Sequence, residues 1–205
     1  MAVLEEGSGT RPVHGLPGRR PGDERGAGAG GAHALAAGPL PRVPSHREGL
    51  TTMDAVGAKT IAETIGSLFT EMHREIRQQV EGLDRKALNW KPHPDANSIA
   101  ALVFHALGSE REMINAVRGI KTERDRAAEF EVEADAADLI ALLEIADADM
   151  DRHVDALTAH DLVAPRPRGD RPPRPGLEWL VRNYGHEREH LAQIELTKQL
   201  YGAGR

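Results

Sequence analysis

The 205-residue chain contains no cysteine. Disulfide bonds, cysteine-ligated zinc and a thiol nucleophile of its own are thereby excluded. The absence also fits a reducing compartment, and a cytoplasmic location is expected. Aromatic residues make up only 3% of the chain, and its apolar content is mostly Ala, Leu, Ile and Val. Without alternating runs of β-branched and aromatic residues, this composition favours helices over strands. No apolar run approaches the ~20 residues that span a bilayer, so no membrane segment is expected. The net charge of −6 argues against nucleic acid as a partner, because that needs a basic face. Lysine is also scarce, at 5 of 26 basic residues, an arginine bias that hints at a GC-rich genome.

The N-terminal quarter is compositionally distinct. Residues 1–50 hold 11 of the 21 glycines and 6 of the 13 prolines. Their lack of apolar periodicity leaves too little buried surface to offset the entropy of ordering. Arg19 and Arg20 are followed by Pro21, Gly22 and Asp23 rather than an apolar stretch, so this is not a secretory signal. Residues 1–52 are expected to be a disordered extension, either a tail or sequence upstream of a true start at Met53. Residues 53–205 are expected to form the folded domain.

Four segments carry helical periodicity. The first runs from about Ala58 to Glu81, with Ile61, Ile65, Leu68, Met72, Ile76 and Val80 on one stripe, and ends at Gly82. The stretch LDRKALNWKPHPDAN reads as a loop anchored by Leu83, Leu88 and Trp90. The second helix opens at Asn97 or Ser98, either of which can cap it, and stops at Gly119. After the charged connector KTERDRAAEFEVEA, the third has Asp135 as N-cap with Asp138 in its first turn. The fourth runs from about Leu177 to Leu200. Four amphipathic helices with no strand signal between them predict an all-α four-helix bundle.

Histidines carry the chemistry. His186 and His190 stand four apart on the last helix, so one metal ion can bridge them. They belong to a polar seam, Asn183, His186, His190, Gln193 and Thr197, that runs beside the apolar stripe. A solvated face would favour charged residues instead. His105, on the second helix, offers a third imidazole. His73 and His153 continue no polar seam and read as ordinary, as do His93, His160 and the three histidines before residue 52.

HEREH also matches H-E-x-x-H, the zincin signature, with Glu187 as general base. This metallopeptidase reading is disfavoured. Gln193 stands where the metzincin glycine belongs, only 15 residues follow His190, and no strand offers an edge to a peptide substrate.

The chain resembles the DinB-like (DinB/YfiT) metalloenzyme superfamily from about Gly57 to Tyr201. The resemblance lies in L-N-W-K-P (Leu88 to Pro92), N-S-I-A-x-L-V-x-H (Asn97 to His105) and H-x-x-x-H-x-x-Q-x-x-L-T (His186 to Thr197). It implies a four-helix bundle with non-standard connections and frequent homodimers. It also implies a metal site of His105, His186 and His190. Relatives include transferases and isomerases that use a low-molecular-weight thiol such as bacillithiol or mycothiol.

A divalent transition ion (zinc, nickel or iron, all suited to imidazole) is therefore expected, with positions left for a small-molecule substrate. Such an ion would activate a thiol or water for transfer or hydrolysis. Because the chain has no cysteine, the thiol would be a cosubstrate, with mycothiol the first choice. Glu110, Glu187 and Glu189 are candidate proton acceptors. The connector TAHDLVAPRPRGDRPPRPG brings five prolines and four arginines. Arg166, Arg168, Arg171 and Arg174 there are able to grip carboxylates, although a solvated linker is the more economical reading. The alternative to an enzyme is a non-catalytic metal-binding or regulatory bundle.

Overall fold

In the computed structural model, residues 53–168 and 171–204 are described. They fall within one compact unit, Val43–Arg205; the expected extension over residues 1–52 lies outside the described residues. Each long helix begins where a side chain can satisfy free backbone N–H groups. Asp54 caps α1 (Ala55–Val80) through the Gly57 amide. Ser98, rather than Asn97, caps α3 (Ile99–Val117) through Ala101. Asp135 and Asp138 form a reciprocal capping box at the start of α4 (Ala136–Ala156). α6 (Gly176–Ala203) follows Pro175 without a side-chain cap. Past the ends of α1 and α3 the chain turns at Gly82 (φ 77°) and Gly119 (φ 71°), conformations that L side chains resist.

Contacts join α1 to α4, α4 to α3, α3 to α6 and α6 back to α1. Consecutive long helices α1 and α3 therefore face each other across the core, as do α4 and α6, so the connections are not simple up-and-down turns. Among the described residues no helix is long and apolar enough to cross a membrane.

The connectors hold more structure than their composition suggested. The stretch after Gly82 contains a short helix, α2 (Arg85–Asn89), capped by Asp84, with Leu88 fully buried and Trp90 packed on Tyr201. The charged connector before α4 makes one 3₁₀ turn at Ala128–Phe130. The Arg/Pro connector contains α5 (Ala159–Val163) and then an antiparallel hairpin, β1 (Pro165–Arg168) and β2 (Arg171–Pro175). Composition favoured a solvated linker there because proline removes ladder donors. In a two-stranded ribbon, however, every strand is an edge, where proline is tolerated. Along β1 exposed prolines alternate with half-buried arginines, so the period-two pattern exists but is written in arginine instead of apolar residues. Gly169-Asp170 between the strands was the available hairpin signal.

The apolar core is divided in two. One cluster gathers Met72, Ile76, Val80, Leu102, Leu139, Leu143, Leu191 and Ile194. The other gathers Ile65, Phe69, Met113, Ile114, Met150, Trp179 and Leu180. On α3, α4 and α6 the changeover between clusters falls at a polar side chain, Glu110, Asp147 and Glu187, and on α1 His73 stands just past it, next to Met72. A polar layer thus crosses the bundle.

Candidate metal centre

His105 projects from α3, and His186 and His190 from successive turns of α6. Their Nε2 atoms converge: His186 lies 3.0 Å from His190 and 3.4 Å from His105. All three ligand atoms lie within 4.8 Å of one another. Two nitrogens bound ~2.05 Å from one tetrahedral ion would sit about 3.3 Å apart, so the observed separations are those of co-ligands. Neutral imidazole nitrogens turned towards each other present lone pairs to lone pairs. That arrangement favours a shared cation or proton at their centre.

The outer nitrogens support the same reading. His105 Nδ1 meets Glu129 Oε2 at 2.9 Å, and His190 Nδ1 meets the Gln193 side-chain oxygen at 3.0 Å. A proton held on Nδ1 by these acceptors leaves Nε2 bare for a metal. Arg124 grips both Glu129 oxygens at 2.6 and 2.7 Å and fixes the carboxylate in place. Gly108 makes room for it, since a Cβ there would collide with the Glu129 carboxylate. Phe130 lies against the His105 ring, with centroids 4.6 Å apart.

Burial, together with the neighbouring imidazoles of His190 and His105, pulls the His186 pKa down to about 4. Burial also lowers His105, partly opposed by Glu129. Both are neutral, and so competent as ligands, at neutral pH. His105 and His186 open onto a cavity of about 1080 Å³ whose wall includes Ser109, Asn183 and Glu189.

The seam on α6 therefore splits by depth. Asn183, His190 and Thr197 are buried, His186 is half-buried and Gln193 is exposed. Asn183 accepts from Ser109 Oγ at 2.9 Å and donates to Glu187.

Glu187 and Glu110 were expected as proton acceptors for a bound ligand, but the fold turns both into the polar layer. Neither lines the cavity. Glu187 is fully buried and its Oε2 has no hydrogen-bond partner. Burial first, and the adjacent Glu110 carboxylate second, hold its pKa well above the usual carboxylate range. Both effects push it towards the protonated form and make it a poorer proton acceptor than an exposed carboxylate. Glu189, the third candidate, does line the cavity.

His73, expected to be ordinary, is the centre of the polar layer. Its Nε2 meets Glu110 Oε2 at 2.6 Å and its Nδ1 meets Asp147 Oδ1 at 2.7 Å. Burial lowers its pKa, but the two carboxylates outweigh that and hold it above the ordinary value. His73, Glu110 and Glu187 also place three ligand atoms within 4.8 Å. Here, however, His73 already meets Glu110 at hydrogen-bond distance, and Glu187 Oε2 alone is left without a partner. His153 is set apart beside Arg118, and burial with that guanidinium brings it to about 4.

Glu129, Arg124 and Phe130 escaped the sequence reading because they sit in a charged connector without periodicity. One of only three phenylalanines, placed among charges, was the signal available.

Among curated proteins none matches the chain. A crystal structure of a DinB-like protein from Bacillus cereus is similar in fold, with a TM-score of 0.57 at 16% identity, covering 68% of this chain and 92% of that one. The DinB superfamily is matched over residues 68–194, a span that takes in α3, the hairpin and all three converging histidines. With more than half of its length matched, the chain belongs to the DinB superfamily.

Proposed function

We propose that the chain is a metal-dependent enzyme in which His105, His186 and His190 hold one divalent transition ion (zinc, nickel or iron). At this centre a low-molecular-weight thiol or water would be activated for transfer or hydrolysis. The observation that carries the reading is the convergence of three Nε2 atoms, those of His105 and His186 belonging to residues that line an open cavity and that of His190 lying just behind them. A cation held by three neutral imidazoles keeps its full charge and makes a bound thiol or water acidic near neutral pH. The chain's own residues do the rest. Glu129 and Gln193 orient His105 and His190 through their outer nitrogens. Arg124 holds Glu129 in place. Glu189, on the cavity wall, is the carboxylate positioned to take up a released proton. Ser109 and Asn183 give that wall fixed hydrogen-bonding groups.

Elemental analysis of protein purified without a nickel column should find about one ion per chain. His186→Ala and His190→Ala should each remove most of it, and His105→Ala should do likewise. After cobalt substitution, a thiol that enters the centre should shift the visible spectrum, and turnover of an electrophile should vanish in His186→Ala. If every coordination position is filled by protein and no thiol or hydrolysable ester perturbs the spectrum, the chain is a non-catalytic metal-binding bundle instead.

A further inference from the structure

The wall of the cavity above the histidines is strongly cationic in a chain of net charge −6. Six arginines line it (Arg124, Arg126, Arg168, Arg171, Arg174 and Arg182) against two glutamates, Glu112 and Glu189. Some of that charge is neutralised within the fold. Arg124 is closed by Glu129 and Glu112, Arg168 shares Glu112 with it, and Arg174 and Arg182 share Glu178. Arg126 and Arg171 make no ion pair among the described residues. Arg126 lies over the Phe130 ring, 5.3 Å from its centroid, and Phe130 itself lies on His105.

These charges are placed by structure. β1 turns Pro165 and Pro167 outward and Arg166 and Arg168 inward. Arg166 is used up by Asp161 at 2.8 Å and does not line the cavity. Arg168 and Arg174 each stand 5.7 Å from the centroid of the buried Trp179 ring. That ring is tied to the hairpin by its Nε1 donating to the Arg166 carbonyl at 2.9 Å. A proline-stiffened ribbon stacked on an indole loses little freedom when its guanidinium groups bind. The planar guanidinium fork matches carboxylate and phosphate oxygens in a way that lysine does not.

We infer that this cavity takes a small molecule bearing at least two acidic groups, carboxylate or phosphate, held by Arg126 from the connector after α3 and by Arg168 and Arg171 from the hairpin. Resting on the reading of the three-histidine centre as a reaction site, this names the class of molecule presented to it. Two or more acidic groups are required because Arg126 and Arg171, without an ion pair among the described residues, belong to two separate segments, and a single carboxylate engages one fork. The cavity, at about 1080 Å³, has room for such a molecule.

The test titrates the full chain, metal-loaded and chelator-stripped, with succinate, inorganic pyrophosphate and acetate at constant ionic strength. Binding is followed by Trp179 fluorescence and by calorimetry. Succinate or pyrophosphate should bind saturably and at least about tenfold more tightly than acetate. Whichever dianion binds more tightly distinguishes a carboxylate from a phosphate ligand. The Arg126→Gln/Arg171→Gln double variant should lose at least about tenfold in that affinity, with its melting temperature and metal content unchanged. The inference is overturned if neither dianion exceeds acetate, or if the double variant binds as the parent does. Failure with metal content intact removes this inference alone. Arginine-dependent binding in a chain that takes up no metal removes the metal reading alone.

Discussion

Neighbouring turns of α3 and α6 feed two histidine clusters whose chemistry is opposite. Beside the cavity, the Nε2 atoms of His186 and His190 face each other at 3.0 Å, and the His186 pKa is pulled down to about 4. In the polar layer, reached by the adjacent residue Glu187, His73 sits at 2.6 Å from one carboxylate and 2.7 Å from another and keeps its proton more tightly than free histidine. Burial disfavours the charged imidazole in both places. His73 is the more buried, with no exposed surface, yet its pKa is the one raised, so the partners decide the outcome. Facing imidazoles leave a place for an added cation, whereas an imidazole between carboxylates has already found its counter-ions. The first cluster brings three imidazole nitrogens together without a counter-charge, whereas in the second His73 already has its two carboxylate partners.

The comparison breaks most directly at His73. Replacing it with alanine leaves the buried Glu110 without its cationic partner and removes one partner from Asp147, which keeps Arg77 at 3.4 Å. This should cost about 3–5 kcal/mol, measured as the change in unfolding free energy in urea, while the folded fraction still binds one metal ion. A cost near zero, or a loss of metal, would mean that the polar layer is not the self-contained group described here.

At the cavity, Glu129→Gln tests orientation without removing a ligand. Metal affinity should fall by roughly 10–100-fold in a competition titration with a chromogenic chelator. An unchanged affinity would separate Glu129 from the centre.

The two histidine states also predict opposite pH dependences. His73 has a raised folded pKa, so its stabilisation is fully present below about pH 6.5 and is lost as pH rises through that folded value. His153 has a folded pKa of about 4. The unfolded chain therefore gains a proton first, and stability falls as pH drops from about 6.5 towards that value. Unfolding titrations of His153→Gln across this window should show a shallower acid decline than the parent protein. Equal slopes would remove His153 as a contributor.

The smallest effect belongs to Glu187→Gln. If Glu187 is already neutral, its amide isostere should change stability by no more than about 1 kcal/mol and should flatten the pH dependence. A loss of several kcal/mol would show that Glu187 is ionised, and a second metal per chain in the parent protein would explain why.

Much of this was readable along the chain, because helices and their ends are local. Asp135 with Asp138, Ser98, Gly82 and Gly119 mark helix boundaries through bonds and dihedrals that involve near neighbours only. The i, i+4 pair His186 and His190 is readable for the same reason, since one helical turn brings the two rings together whatever surrounds them. The L-N-W-K-P, N-S-I-A-x-L-V-x-H and H-x-x-x-H-x-x-Q-x-x-L-T patterns then pointed to the family, and the resemblance implied His105 as the third candidate ligand.

Other residues became meaningful only when distant segments met. His73 carried no seam on its own helix; its partners Glu110 and Asp147 come from two other helices, 37 and 74 residues away. Glu187 was ambiguous in sequence because it lies on the border between polar seam and apolar stripe, and packing turned it inward. Glu129 reaches His105 across 24 residues of chain. The hairpin arginines look solvated until the ribbon folds onto Trp179. Sequence alone thus determined the four long helices, the caps at the starts of α3 and α4 and the i, i+4 histidine pair, all matters of short-range geometry. Tertiary structure decided which buried groups share protons and which charges face the cavity, because electrostatic environment is set by what packs around a residue and not by what precedes it.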